Sequence, residues 1–246
     1  KGVTAKMEEK LLYAGKAKEM WTTEDEDQLR VVYLDQATQL NGKQKEHFAG
    51  KGAAAHAISD LVFHYLIDHG IETHFIKKLS ATEDLVEKCA MVPLEFVTRN
   101  TVAGHFASRF GLEEGTALPQ PVEENFYKDD ELDDPFINES AAVAVKMVTP
   151  AEFDRCWAIC RQVDQLLTPL FEKAGMQLVD FKLEFGRRSR DNQIILADEF
   201  SPDNCRLWDT TTHHHLDKDV FRRNLADLTT TYQEVYARLQ AALKED

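Results

Sequence analysis

A strictly alternating pattern marks the segment LVDFKLEFG, Leu178–Gly186. Apolar and charged residues take alternate positions in it, which is the spacing of a β-strand with one apolar and one charged face. A second apolar run, IILADEF, follows the charged turn GRRSRDNQ. The two runs predict an antiparallel hairpin whose register the pattern leaves open. In that hairpin Asp198 would share a face with one of the charged residues of the first run, which are Asp180, Lys182 and Glu184.

Helical spacing marks several other segments. The apolar residues of AAAHAISDLVFHYLIDHG recur every three or four positions, and this helix is predicted to stop at Gly70. The clearest helix runs from about Pro150 to Ala174. Thr149 is its predicted N-cap and Glu152 its capping-box partner. A short helix is predicted in TVAGHFASRFG, and two more helices close the chain.

Strands alternate with these helices. LLYAGKAKEMW predicts two strands joined by a Gly-Lys turn, LRVVYLD predicts another, and KCAMVPLEFVTRN predicts a strand broken at Pro93. The polar stretch QATQLNGKQKEHFAGKG and the acidic, proline-dotted residues 112–138 are predicted to be loops. The mixture predicts an α+β fold with antiparallel sheets, in two lobes with a cleft between them. We expect the lobes to be residues 1–90 and 91–246.

Composition narrows the class of function. The 246 residues carry a formal net charge of -14, which argues against a broad nucleic-acid surface. The mean hydropathy is -0.42, and no apolar run approaches the length of a membrane helix. The four cysteines do not form a disulfide framework, and the first residues contain no apolar signal-peptide core. A cytoplasmic protein with reduced thiols is the expectation.

The charged face of the hairpin is the main candidate site. Hard carboxylate oxygens gathered on a rigid face suit Mg²⁺, and neighbouring carboxylates are unfavourable unless a cation lies between them. Lys182 could neutralise part of that charge or reach a phosphate. The alternative is a solvated face with surface ion pairs of about 0–1 kcal/mol each. The second acidic pair, Asp198 and Glu199, at the end of an apolar strand favours the metal site.

Two other motifs could bind anions. In YAGKAKEMW a glycine followed by two lysines can approach phosphates, although the spacing is not that of a Walker loop. Arg99 stands at a strand end before a predicted helix N-terminus, and Arg206 follows the acidic strand closely. The triple histidine His213–His215 has no second cluster to complete a metal site, so an exposed loop is the expectation.

In their order and spacing these motifs resemble the SAICAR synthetase family, essentially from end to end. VDFKLEFG and DEFSPD are the most specific signatures, and VPLEFVTRNTVAGHFASRFGLEEGT, DDPFINE and LDKDVFRRNL support them. The resemblance implies a two-lobed α+β architecture related to ATP-grasp and kinase folds. It also implies a purine-biosynthesis ligase that uses ATP and Mg²⁺ to join the carboxylate of carboxyaminoimidazole ribonucleotide (CAIR) to the amine of L-aspartate. The products are SAICAR, ADP and phosphate, and an acyl phosphate is the expected intermediate.

The resemblance also implies roles for individual residues. Catalysis and metal binding would involve Lys182, Glu184 and Asp198, with the two acids holding Mg²⁺. ATP would contact Gly15, Lys16, Lys18 and Met91. Arg99 and Arg206 would grip the ribonucleotide, most simply at its phosphate. The other substrate positions, for the nucleotide or aspartate, are Asn41, His105, Asp180, Asp203, Lys218 and Arg222.

The chain departs from the family pattern in a few places. His105 stands where a ligand-facing serine is usual, and it could still donate a hydrogen bond to phosphate with a charge that depends on pH. Gln36 stands where an acid is common, Gln39-Leu40 replaces a small-aromatic pair, and Trp21 replaces a tyrosine. None of these positions is one of the two proposed metal carboxylates.

Two other functions remain open from sequence. The first is a different Mg-ATP-dependent kinase or ligase on the same scaffold, and the second is an acidic α+β binding module without catalysis. The expected partners are small molecules (ATP, CAIR and L-aspartate), with neither nucleic acid nor membrane. A homo-oligomer is the expected assembly, although the sequence does not give the number of copies.

Overall fold

The computed structural model describes residues 9–39 and 44–244. The strands are β1 (Leu11–Ala14), β2 (Lys18–Thr22), β3 (Gln28–Tyr33), β4 (Gln36–Gln39), β5 (Gln44–His47), β6 (Phe75–Lys78), β7 (Glu83–Glu87), β8 (Cys89–Met91), β9 (Leu94–Thr101), β10 (Ala117–Tyr127), β11 (Met176–Arg188), β12 (Ile194–Ala197) and β13 (Cys205–Asp209). The helices are α1 (Lys51–Asp68), α2 (Gly104–Phe110), α3 (Glu139–Ala144), α4 (Pro150–Lys173), α5 (Asp219–Arg222) and α6 (Leu228–Lys244).

The first part of the chain forms a five-stranded antiparallel sheet. Its strand order is β1-β2-β3-β7-β6. Leu29, Val31 and Tyr33 alternate with less buried residues along β3 and point into the core. Helix α1 packs against β3 and against the C-terminal helix α6. This packing joins the first sheet to the end of the chain.

Strand β11 is the centre of the second sheet. It pairs with β9 and β12 in the order β10-β9-β11-β12, and β8 and β13 also pair with it. Its apolar residues are buried as the alternating pattern predicts, but its charged face is covered as well. Asp180 is 3% exposed and Glu184 is 2% exposed. The alternative of a solvated face is therefore wrong, because both carboxylates lie inside the protein.

Two segments predicted to be loops contain strands. Residues 112–138 contain the eleven-residue strand β10, which pairs with β9 from Val122 to Tyr127. Proline is tolerated there because β10 lies at the edge of its sheet, where missing N–H donors break no ladder. The polar stretch after β3 forms the two-stranded sheet β4–β5, and α1 begins at Lys51. Polarity alone suggested a loop in both places.

Helix α4 begins as the sequence predicts. The Thr149 Oγ1 atom accepts the Glu152 N–H at 3.2 Å, and the Glu152 carboxylate accepts the Thr149 N–H at 2.8 Å. The helix packs on β11, and its residues Cys156 and Cys160 are buried. Over residues 9–39 and 44–244, none of the helices combines the length and apolar character that crossing a bilayer demands.

Candidate active site

The hairpin brings the two predicted metal carboxylates together. Glu184 pairs with Ala197, the residue before Asp198, so the second acid leaves its strand beside the first. The Lys182 ammonium group contacts the Glu184 carboxylate and lies 3.0 Å from Glu95 Oε1. Asp198 has a φ of 62°, the left-handed region that side chains other than glycine rarely adopt. Such strain is typical of functional sites, where the surrounding structure imposes it.

Two further lysines complete this lysine–carboxylate cluster, which consists of Lys18, Lys128, Lys182, Glu184 and Asp198. Lys18 comes from β2, contacts Asp198 and lies 3.0 Å from Glu199 Oε1. Lys128 follows β10 and contacts the other oxygen of Glu184. Lys128 was not predicted from sequence, because it is a single basic residue in a stretch that reads as an acidic loop.

Electrostatics keep this cluster ionised. Burial alone would raise the pKa of Glu184, but the ammonium groups of Lys182 and Lys128 outweigh it and lower that pKa. Burial likewise opposes the charge of Asp198, yet Lys18, Lys182 and Lys128 hold its pKa well below the usual range. Burial lowers the pKa of Lys18, but Asp198 and Glu199 raise it well above the usual value. The cluster therefore presents fixed charges at neutral pH.

A buried histidine lies against the same charges. His74 is 6% exposed and is hydrogen-bonded to the backbone of Asp198. Burial and the nearby Lys18 ammonium group lower the pKa of His74 to about 4. The ring is therefore neutral at physiological pH and adds no charge to the cluster. The sequence offered no signal for this residue, because His74 is one of several scattered histidines.

The other predicted ATP residues make contacts of their own. The Gly15 N–H donates to the Lys18 carbonyl at 2.7 Å and closes the turn between β1 and β2. Lys16 Nζ lies 2.7 Å from Asp130 Oδ1. Met91 is 42% exposed at the end of β8, opposite Gly186. Asn41 lies outside the described residues.

Asp180, which lies on β11 like Glu184, is the centre of a second group of charged residues, the arginine cluster. It pairs in the sheet with Arg99 on one side and with Arg206 on the other. One oxygen, Asp180 Oδ2, lies 2.8 Å from Arg99 Nη1 and 2.8 Å from Arg206 Nη1. Arg99 Nε also donates to Glu124 Oε2 at 2.6 Å, and Arg109 contacts the same carboxylate. The predicted pair of arginines is thus brought together.

Asp219, the first residue of α5, connects the arginine cluster to that helix. Arg206 Nε donates to Asp219 Oδ2 at 2.9 Å, and Arg222 Nη1 donates to Asp219 Oδ1 at 2.7 Å. Burial opposes ionisation of Asp219, but the two guanidinium groups lower its pKa to about 2. Asp219 and Glu124 were not predicted from sequence. Their function in the cluster depends on contacts that the sequence motifs do not encode.

The glycine that begins α2 makes room for Arg206. Gly104 has a φ of 53°, and a β-carbon there would lie 2.4 Å from Arg206 Nη2. His105, the next residue, is exposed on the first turn of the helix. The exposed His105 therefore directly follows the glycine against which the Arg206 guanidinium lies.

We expect Gly104→Ala to destabilise the protein more than Gly111→Ala does. Gly111 has a φ of 62° but open space around its α-carbon, so its substitution costs only the left-handed strain, about 1–2 kcal/mol. Alanine at Gly104 must also push Arg206 from its two carboxylates, which adds about 1.5–3 kcal/mol. Urea unfolding of both variants measures the difference. Equal losses would show that Arg206 adapts without cost.

Asp203 and Lys218 lie in a third cluster. Lys218 Nζ lies 3.8 Å from Asp203 Oδ1, and both side chains are buried. In the triple histidine, His213 and His214 are exposed as predicted, whereas the ring of His215 packs against Trp208. His215, Asp217 and Asp219 are the one group of three metal-binding side chains in residues 9–39 and 44–244. Arginines already hold Asp219, and backbone N–H groups hold Asp217 at 2.7 and 2.9 Å, which disfavours a cation.

Comparison with known proteins identifies the family. The family model described as SAICAR synthetase matches residues 11–239. This chain belongs to the SAICAR synthetase family. A protein of Limosilactobacillus fermentum named phosphoribosylaminoimidazole-succinocarboxamide synthase is 99% identical over 240 residues, which is 98% of this chain and 100% of that protein. A protein of the same name from Latilactobacillus sakei is 55% identical over 95% of this chain and 96% of its own length.

Solved structures support the SAICAR synthetase fold. The enzyme from Ehrlichia chaffeensis superposes with a TM-score of 0.92 at 39% identity, over 94% of this chain and 99% of that one. A SAICAR synthetase in complex with ADP superposes with a TM-score of 0.89 at 44% identity, over 93% and 97% of the two chains. The predicted family and the α+β fold with antiparallel sheets are confirmed. The prediction of a ligase of purine biosynthesis is confirmed with them.

Proposed function

We propose that this chain uses ATP to join the carboxylate of CAIR to the amine of L-aspartate. The observation that carries the proposal is that both charged clusters share strand β11. Glu184 of the lysine–carboxylate cluster and Asp180 of the arginine cluster are four residues apart on it, or about 13 Å. One ribonucleotide can therefore reach the arginines with its phosphate while its carboxylate lies beside the lysines.

The reaction needs an activated carboxylate, because oxide is a poor leaving group. A carboxylate oxygen of CAIR attacks the γ-phosphorus of ATP, the bond to the β-γ bridging oxygen breaks, and ADP leaves. The neutral amine of L-aspartate then attacks the acyl carbon, loses a proton and expels phosphate. Lys18, Lys128 and Lys182 spread positive charge over the transferring phosphoryl group, which is most of what this chemistry requires from a protein.

Glu184 and Asp198 would hold Mg²⁺. They fit the ion because buried Glu184 and half-buried Asp198 are ionised oxygen donors brought together at one end of the hairpin. Mg²⁺ is usually held by one or two carboxylates together with substrate phosphates. Bound there, the ion would neutralise charge on the phosphates. Lys18, Lys128 and Lys182 contact oxygens of these same two carboxylates. Lys182, Glu184 and Asp198 are the proposed catalytic residues.

The remaining assignments follow the family positions. ATP is proposed to contact Gly15, Lys16, Lys18 and Met91. The ribonucleotide is proposed to contact Arg99, Arg206 and His105, and the other substrate positions are Asn41, Asp180, Asp203, Lys218 and Arg222. We further propose that residues 1–90 and 91–246 are the two lobes, that the protein is cytoplasmic and that it forms a homo-oligomer.

A coupled ADP-release assay tests the reaction. We expect sustained ADP release only when ATP, CAIR and L-aspartate are all present, because the acyl group must pass to the amine before the next turnover. Omission of each substrate in turn is the control. ADP release that ignores both CAIR and aspartate would indicate another kinase or hydrolase on the same scaffold.

A thermal shift assay tests nucleotide binding and the metal site separately. At 100 times its dissociation constant, Mg-ATP should stabilise the protein by about 2.7 kcal/mol. ATP with a chelator should stabilise it less, because the carboxylates of Glu184 and Asp198 then repel the phosphates. An identical shift with and without Mg²⁺ would argue against the metal site and leave the ATP site intact.

A further inference from the structure

Lys51 is a fully buried lysine outside the predicted site. It is 1% exposed and is the first residue of α1. A cation is disfavoured at this end of a helix, where the dipole is positive. The Asp35 carboxylate offsets this, since it accepts the N–H groups of Gly50 and Gly52 at 2.8 Å each. The Lys51 ammonium group contacts Asp203 Oδ2.

Asp203 is held from both sides. Lys51 contacts one carboxylate oxygen, and the Tyr232 hydroxyl of α6 donates to the other at 2.8 Å. Lys218 Nζ approaches that second oxygen only to 3.8 Å, beyond hydrogen-bonding distance. Burial opposes the charge of Asp203, but Lys51 and Lys218 hold its pKa well below the usual range. One carboxylate thus faces two ammonium groups and a phenol.

Two buried ammonium groups, those of Lys51 and Lys218, share the Asp203 carboxylate, and only Lys51 contacts it closely. A buried cation without full compensation is costly, and an anionic ligand relieves the cost. Burial lowers the pKa of Lys218 to about 8, and nearby cations add to this effect while Asp203 opposes it. The charged groups that face Lys218 are Asp203, Glu199, Lys51 and Arg222.

We propose that Lys51 is a positioning residue: it holds the Asp203 carboxylate and so keeps the Lys218 amine available for a carboxylate of L-aspartate. The inference rests on the proposed function, which puts Lys218 among the substrate positions. The arginine cluster is assigned to the phosphate of the ribonucleotide, so Lys218 serves the amino acid. Without Lys51, the Asp203 carboxylate would turn to Lys218 and pair with it directly.

Lys51→Met tests this role. We expect the KM for L-aspartate to rise about tenfold, the factor for one lost charge-assisted hydrogen bond, while the KM for ATP changes less than twofold. The alkaline limb of kcat/KM for aspartate should move to higher pH. Lys218 would lose the repulsion of Lys51 and gain a direct Asp203 partner, and both changes raise its pKa. Lys51→Arg restores the cation and should restore both quantities.

The controls separate positioning from stability. A purely structural lysine would lower the melting temperature and leave the aspartate KM and the pH limb unchanged, and that outcome overturns the inference. If Lys51→Met does not fold, Tyr232→Phe is the second variant, because it removes only the hydrogen bond to Asp203. It should raise the KM for aspartate about threefold, and an unchanged KM in Tyr232→Phe also overturns the inference. Wild-type protein with no aspartate-dependent product would instead refute the proposed function itself.

Discussion

Asp198→Asn and Glu184→Gln should each lower kcat by about 10³-fold or more. Both substitutions keep the size of the side chain and remove one negative charge from the lysine–carboxylate cluster. The loss follows from electrostatic stabilisation of a transferring phosphoryl group, where removal of one well-placed charge or donor typically costs 10²-fold to 10⁵-fold. A steady-state ADP-release assay with saturating substrates measures it.

The fold should survive both changes, because neither leaves a buried lysine of the cluster without a carboxylate partner. In Asp198→Asn, Lys18 retains Glu199 at 3.0 Å. In Glu184→Gln, Lys182 retains Glu95 at 3.0 Å, and the side chain of Lys128 is 42% exposed and can turn to water. Circular dichroism and urea unfolding should therefore report a folded protein that has lost its activity.

Matched substitutions control for the loss of charge itself. Asp191→Asn lies in the turn of the same hairpin, where Asp191 pairs with Arg188. Glu123→Gln removes the partner of Arg161 on the exposed side of β10. Both should keep nearly full activity. Full activity in Asp198→Asn or Glu184→Gln would remove that residue from the proposed metal site.

Nucleotide binding gives a second readout. Wild-type protein should be stabilised more by Mg-ATP than by ATP with a chelator, and this difference should vanish in Asp198→Asn and Glu184→Gln. The reason is that in the proposed site the lost carboxylate would be a ligand of the ion and not of ATP. A difference that persists in both variants would place the ion elsewhere, whatever their turnover.

Local sequence patterns were sufficient to predict several of the secondary-structure elements. The capping box at Thr149 and Glu152 uses only neighbouring residues, and the alternation along β11 is set by its own side chains. Such features depend on residues that are close in sequence, so the sequence alone is enough to predict them. The hairpin that joins Glu184 to Asp198 was predictable for the same reason, although its register was not.

Long-range features were not predictable in the same way. Strand β10 reads as a loop because of its prolines and acids, and only its position at a sheet edge makes those residues acceptable. Missing that strand also concealed Lys128 and Glu124, which it brings to the two charged clusters. Lys51 meets Asp203 across 152 positions of the chain, a distance that no local pattern spans.

Arg99→Ala should raise the KM for the ribonucleotide about 100-fold and change kcat and the KM for ATP only a few-fold. Two of the five N–H donors of Arg99 go to Glu124 and Asp180, so others remain for a phosphate. Loss of charge-assisted hydrogen bonds to a phosphate, at about 1.5–3 kcal/mol each, gives a factor of that size. Steady-state kinetics with each substrate varied in turn measure the three constants.

The arginine cluster makes this variant interpretable, because no buried carboxylate loses its last partner. Glu124 keeps Arg109, and Asp180 keeps Arg206 at 2.8 Å. The variant should therefore fold. Removal of one partner from an isolated buried ion pair would instead leave an uncompensated charge and destabilise the protein. Arg161→Ala, which removes an exposed arginine paired with Glu123 on the neighbouring strand, is the matched control and should leave every constant unchanged. If Arg99→Ala raised only the KM for ATP, the arginine cluster would belong to the nucleotide triphosphate, and the ribonucleotide would need another site along β11.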